Sequence, residues 1–168
     1  MSSQSPTLTV RRSIHINAER NGVWREFESF ERMNLWWGLI TGVPEAGKGN
    51  GQRLMKYEPR VGGRIEMEIL LNGQPIRYGG TIVVFDRARE LTFESDWIPN
   101  LGWQKPTLIT LRLTPAFGGT VVELLHHGFE HTAPDFSEQF EGYEAGWGMT
   151  QLSALRKISQ GDAVTIKL

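Results

Sequence analysis

From Arg53 to His127 the apolar residues recur with a period of two, and most breaks between runs are only a few residues long. Links that short cannot carry a parallel crossover, so this stretch reads as an antiparallel meander. Residues 54–58 form one run. Residues 64–71 alternate Ile65, Met67 and Ile69 against Arg64, Glu66 and Glu68. Asn72-Gly73 is a strong hairpin signal and returns the chain into residues 75–85, where Tyr78, Gly80, Ile82 and Val84 share a face. After a turn at 86–89, Leu91, Phe93 and Ser95 oppose Thr92, Glu94 and Asp96. Residues 97–106 read as a wide connection carrying Trp97 and Trp103. The last pair, 107–113 and 120–126, is joined across Pro115 to Gly119, with Ile109, Leu111, Leu113, Val122, Leu124 and His126 on one face. An earlier half-buried strand, residues 7–16, sets Leu8, Val10, Ile14 and Ile16 against Thr9, Arg11, Ser13 and His15.

The period lengthens in three places. Val23, Trp24 and Phe27 predict a short amphipathic helix that Asn17 can cap, and a second short helix, about residues 29–37, carries Phe30, Met33, Leu35, Trp36 and Trp37. Gly42, Pro44, Gly47, Gly49 and Gly51 then break all regularity and predict a loop; its spacing is not that of a phosphate-binding loop. Thr132 with Asp135, and Pro134 in the first turn, starts a helix that runs to Gly161. Phe136, Phe140, Tyr143, Trp147, Gln151, Ala154 and Ile158 stripe one face of it. Gly142, Gly146 and Gly148 inside that pattern cost about 1 kcal/mol each relative to alanine, so the helix either kinks there or is closely approached by another group. A meander of six to seven strands curls as it twists, and one C-terminal helix covers its apolar face. Small positions (Gly80, Ser95, Gly142, Gly146) mixed with aromatic ones favour a cavity between the two.

Composition removes several classes of function. With 18 basic and 19 acidic residues and no run of like charges, nothing predicts nucleic-acid binding. The absence of cysteine excludes disulfides, thiolate chemistry and sulfur-ligated metals. No apolar run is long enough for a transmembrane helix, and the polar first residues lack a secretory signal, so a cytoplasmic location is expected. Six tryptophans and eight phenylalanines exceed ordinary core filling and can line a cavity.

The candidate site follows from that cavity. His126 lies beside Val122 and Leu124 on the covered face, where it either orients a ligand or acts as a base, or is simply a buried histidine satisfied by a backbone group or Tyr143. His126 and His127 point to opposite faces, which argues against a metal site with Glu130 and His131. Trp36 and Trp37, with Trp97 and Trp103, are candidates for the cavity mouth. Tyr78, Tyr143 and Trp147 supply its polar contacts, and Met67 and Phe140 its apolar lining. No nucleophile, catalytic carboxylate pair, cofactor motif or nucleotide signature is present.

Several motifs together resemble a known family: Trp36-Trp37-Gly38, Arg60-Val61-Gly62-Gly63-Arg64-Ile65, and the run from Gly80 to Asp86 into Glu90-Leu91-Thr92-Phe93. Leu113-Thr114-Pro115 to Gly119-Thr120, His126-His127-Gly128-Phe129 and residues 142–147 join them. They resemble the activator of Hsp90 ATPase homologue 1-like domain of the START-like (SRPBCC) helix-grip superfamily, over residues 8–160 of a single domain spanning 1–168. The resemblance implies an α+β helix-grip fold with a hydrophobic cavity between sheet and helix. Three readings follow: a protein binding or sequestering a small hydrophobic, ring-containing ligand such as a lipid or polyketide; a cyclase- or hydrolase-type enzyme using the same cavity; or, from the family name alone, a regulator of a chaperone ATPase, which a pull-down would test. A homodimer through an edge strand or the solvent faces of the short helices is compatible with all three.

Overall fold

The computed structural model describes residues 8–37, 52–71, 74–98, 105–131, 140, 141, 144 and 147–161. The loop at 41–51, the Asn72-Gly73 turn, Trp103, the helix start at 132–135, Gly142, Tyr143 and Gly146 lie outside the described residues. Seven strands make one antiparallel sheet: β1 (Val10–Ile16), β2 (Gln52–Tyr57), β3 (Arg64–Leu71), β4 (Gln74–Asp86), β5 (Glu90–Ile98), β6 (Thr107–Ala116) and β7 (Gly119–His127). Their order across the sheet is β1-β7-β6-β5-β4-β3-β2, so the first strand closes beside the last and the rest is a meander. The inward sets expected from alternation are buried, among them Val10, Ile16, Ile65, Met67, Ile82, Leu91, Phe93, Ile109, Leu111, Val122 and Leu124.

Two corrections concern strand ends. Trp97 belongs to β5, paired with Tyr78, and not to a connection. The β6–β7 link is a two-residue turn at Phe117-Gly118 instead of the five-residue connection expected, because Pro115 continues the ladder opposite Thr120. Next to the closing Ala116–Gly119 pair that position makes no ladder hydrogen bond, so the missing proline N–H is not felt.

Two adjacent glycines of β4 let the neighbouring strands come close. Gly79 has φ of 141°, and a Cβ there would lie 2.1 Å from the Ile65 carbonyl oxygen of β3. At Gly80 it would lie 2.7 Å from the Glu94 oxygen of β5. These glycines are therefore required by the approach of neighbouring strands, and Gly80 is not a small residue left to make room for a cavity.

α1 (Arg20–Trp24) runs into a 3-10 turn at Arg25–Phe27, and α2 (Phe30–Asn34) follows with Ser29 Oγ accepting from the Arg32 amide at 3.2 Å. The predicted Asn17 cap is not used; Glu19 occupies the α1 N-cap position without a side-chain bond. Phe140, Glu141 and Glu144 have helical backbone, but Trp147, Gly148 and Met149 do not, and α3 (Thr150–Ser159) starts afresh. The C-terminal helix is thus interrupted at Trp147–Met149, the kink that the internal glycines allowed. α3 buries Leu152 and Leu155 against β1 and α1 and ends, as expected, at Gly161 with φ of 73°.

Candidate functional site

A chain of rings crosses the inner face of the sheet. Trp24 stacks on Phe27 with centroids 4.8 Å apart, Phe27 meets Trp36 at 4.9 Å, Trp36 meets Trp37 at 5.5 Å, and Trp37 meets Trp147 at 6.1 Å. From Trp147 it continues to His126 at 6.0 Å, Phe129 at 4.7 Å and Phe140 at 5.4 Å. These are offset or edge-on distances at which aromatic pairs attract beyond simple burial.

The last part of this chain carries the polar chemistry. The Trp147 indole N–H donates to His126 Nδ1 at 3.0 Å, and His126 Nε2 lies 2.6 Å from Thr107 Oγ1. An indole nitrogen can only donate, so Nδ1 is the acceptor and the neutral ring carries its proton on Nε2, which donates to Thr107. The Thr107 hydroxyl in turn donates to the Ser95 carbonyl at 3.3 Å. Burial, with a smaller contribution from the neighbouring His127, pushes the His126 imidazole down to about 3, so the ring is neutral at physiological pH. His126 is fully buried and both its nitrogens are engaged. It is satisfied by two side chains, whereas the sequence pointed to a backbone group or Tyr143. His127 faces away, bonding Thr110 Oγ1 at 3.0 Å on the outer surface.

Trp147 is half-buried and sits at the helix interruption. Its position is set from β1, where the Arg12 guanidinium donates to the Trp147 carbonyl at 3.1 Å and the Glu144 carbonyl at 2.7 Å, and lies 3.5 Å from the Glu144 carboxylate. A forked cation on the freed carbonyls is what an interrupted helix end requires. Gly128, with φ of 86°, turns the chain out of β7 so that Phe129 is tucked under His126.

The sequence-derived residues therefore divide. Trp37, His126, Phe140 and Trp147 are brought together, with Phe93 against Trp37 at 6.1 Å. Trp36 and Trp37 are fully buried and do not form a mouth; Trp36 donates to the Glu26 carbonyl at 3.0 Å inside the α1–α2 corner. Met67 and Tyr78 are buried and paired with each other on β3 and β4, three to four strands from His126 in sheet order. Arg12 and Thr107 were missed. Both are polar residues at inward parity, Arg12 between Val10 and Ile14 and Thr107 two residues before Ile109, and that parity was the available signal.

An antiparallel sheet curled against a C-terminal helical segment, with two short helices after the first strand, defines a helix-grip protein. The chain belongs to the Activator of Hsp90 ATPase homolog 1-like protein family, whose model matches residues 17–159. It is similar in fold to the Q3J4M4_RHOS4 protein of Rhodobacter sphaeroides, with 17% identity, a TM-score of 0.67 and coverage of 96% of this chain and 97% of that one. Protein CV1439 of Chromobacterium violaceum is similar at 19% identity and a TM-score of 0.65, covering 91% and 97% respectively. DynU16, from the dynemicin biosynthetic locus, is similar at 15% identity and a TM-score of 0.61, with 93% of this chain matched to 49% of DynU16. No curated protein matches by sequence. Among the described residues no helix is long and apolar enough to cross a membrane.

Proposed function

We propose that the chain binds a small hydrophobic, ring-containing ligand between the inner face of the sheet and the C-terminal helical segment, and so carries or sequesters it. The observation that carries this reading is Trp147. Its half-buried ring is aimed by a hydrogen bond onto a neutral histidine, at the one interruption of the helix among the described residues, and it touches both Trp37 and His126. A flat ligand stacked on such an indole gains about 0.5–1.5 kcal/mol beyond its area burial. Trp37, Phe93, His126 and Phe140 complete this wall, with Trp36 packed against Trp37, and Met67 and Tyr78 lie further along the sheet on β3 and β4. His126 has little basicity and no open ring nitrogen, so its role is to orient the indole, which favours binding over cyclase or hydrolase chemistry.

The test is a thermal-shift screen of fatty acids, sterols and polycyclic aromatics, followed by native mass spectrometry. The expected outcome is a one-to-one adduct with a ring-containing compound, together with a raised melting temperature. Stabilisation by none of these classes would overturn the reading.

A further inference from the structure

The tip of the β6–β7 hairpin carries a residue that folding alone does not explain. Phe117 is 91% exposed and has φ of 51°, followed by Gly118 at 73°. Two successive positive φ values make a turn that asparagine-glycine suits and phenylalanine does not. His15 meets the ring edge-on at 6.0 Å, and His15 is itself held by a bond from Nε2 to the Ala116 carbonyl at 3.0 Å. Beside it lies an open groove of about 390 Å³ lined by Glu19, Arg20, Asn21, Pro115 and Phe117 itself. Among the described residues neither Glu19 nor Arg20 has an ion-pair partner.

We propose that this tip is a self-association surface, on which Phe117 of each copy enters the groove of the other across a two-fold axis. An exposed ring next to its own receiving groove is what an isologous contact needs, since one patch must be both knob and hole. Opposite charges adjacent in the groove are self-complementary as well: the two-fold brings Glu19 of one copy to Arg20 of the other and fixes the register. A buried aromatic anchor supplies most of the affinity of such a contact. A surface this small gives a weak, reversible dimer.

The experiment is sedimentation equilibrium of the full chain over a wide concentration range. The wild type is expected to show a monomer–dimer equilibrium. Phe117→Asn suits the turn and removes the ring, so it should weaken association by about tenfold or more without lowering the melting temperature. Glu19 makes no side-chain cap bond, so Glu19→Arg should weaken association without loss of fold, and the double variant Glu19→Arg, Arg20→Glu should restore it. A wild type that stays monomeric throughout overturns the proposal, as does association unchanged in Phe117→Asn and Glu19→Arg. A monomer that sediments with phospholipid vesicles through Phe117 overturns it too, by giving the ring a lipid occupant.

Discussion

At the α1–α2 corner, the Trp36 indole and the Tyr57 hydroxyl both donate to backbone carbonyls, those of Glu26 and Phe27. At the far end of the same chain of rings, the Trp147 indole donates to a side chain, which is held by a second side chain. The corner is closed on every side: Trp24, Phe27, Trp36 and Met33 are all at most 1% exposed. At the Trp147 end the indole itself is half-buried, and a guanidinium reaching from β1 holds the backbone that carries it. At the corner the acceptors are fixed by the backbone. At Trp147 the acceptor is itself a side chain with rotamers of its own, and that difference separates core from candidate site.

The sharpest way to break this comparison is at the corner. Phe27→Ala or Trp36→Ala should cost about 3–5 kcal/mol by urea unfolding, and binding should fail only where folding fails. Next comes acid. The folded-state pKa of His126 lies near 3, below its unfolded value of about 6.5, so the unfolded chain binds more protons between these limits. The associated stability is present above pH 6.5 and is lost as pH falls, at about 1.4 kcal/mol per pH unit. Burial also lowers the His127 pKa, which adds in the same direction. Urea midpoints measured from pH 7 to pH 4 should fall steeply in the wild type and less in His126→Gln.

Smaller stability effects are expected on the Trp147 side, with larger effects on binding. Trp147→Phe keeps a ring but leaves His126 Nδ1 without its donor; about 1–3 kcal/mol of stability should go, and ligand affinity should drop about tenfold or more. Arg12→Gln should cost about 1–2 kcal/mol, and Arg12→Lys should not recover it, because a single ammonium cannot span both the Glu144 and Trp147 carbonyls. A corner variant and a Trp147 variant that lowered affinity equally at equal stability would erase the distinction.

Much of the scaffold was legible. The two-residue period named the strands and the inward His126, and Gly161 marked the helix end, because each is a local signal. The interruption at Trp147–Met149 was legible only as one of the two alternatives that Gly142, Gly146 and Gly148 raised, since Trp147, Gln151, Ala154 and Ile158 keep helical spacing through it. The group that stabilises it, Arg12, is 135 positions away along the chain. The corner position of Trp36 depends on where the Glu26 carbonyl points, which no spacing encodes. The short turn at Phe117 was hidden by Pro115, a breaker by composition that sits harmlessly at a non-bonded ladder position. Glu26 illustrates the same limit. No spacing in the sequence marks it, yet it is fully buried, with Arg25 and Arg32 at 3.6 and 3.7 Å.

The most direct measurement follows the indole N–H signals of the six tryptophans by ¹H–¹⁵N NMR as a ring-containing ligand from the screen is titrated, with Trp147 assigned from the Trp147→Phe variant. The expected result is a large shift of the Trp147 signal and a smaller one for Trp37, while Trp24 and Trp36 stay in place. Equal movement of Trp24, Trp36 and Trp147, or no movement of Trp147 at saturation, would contradict a binding wall centred on that ring.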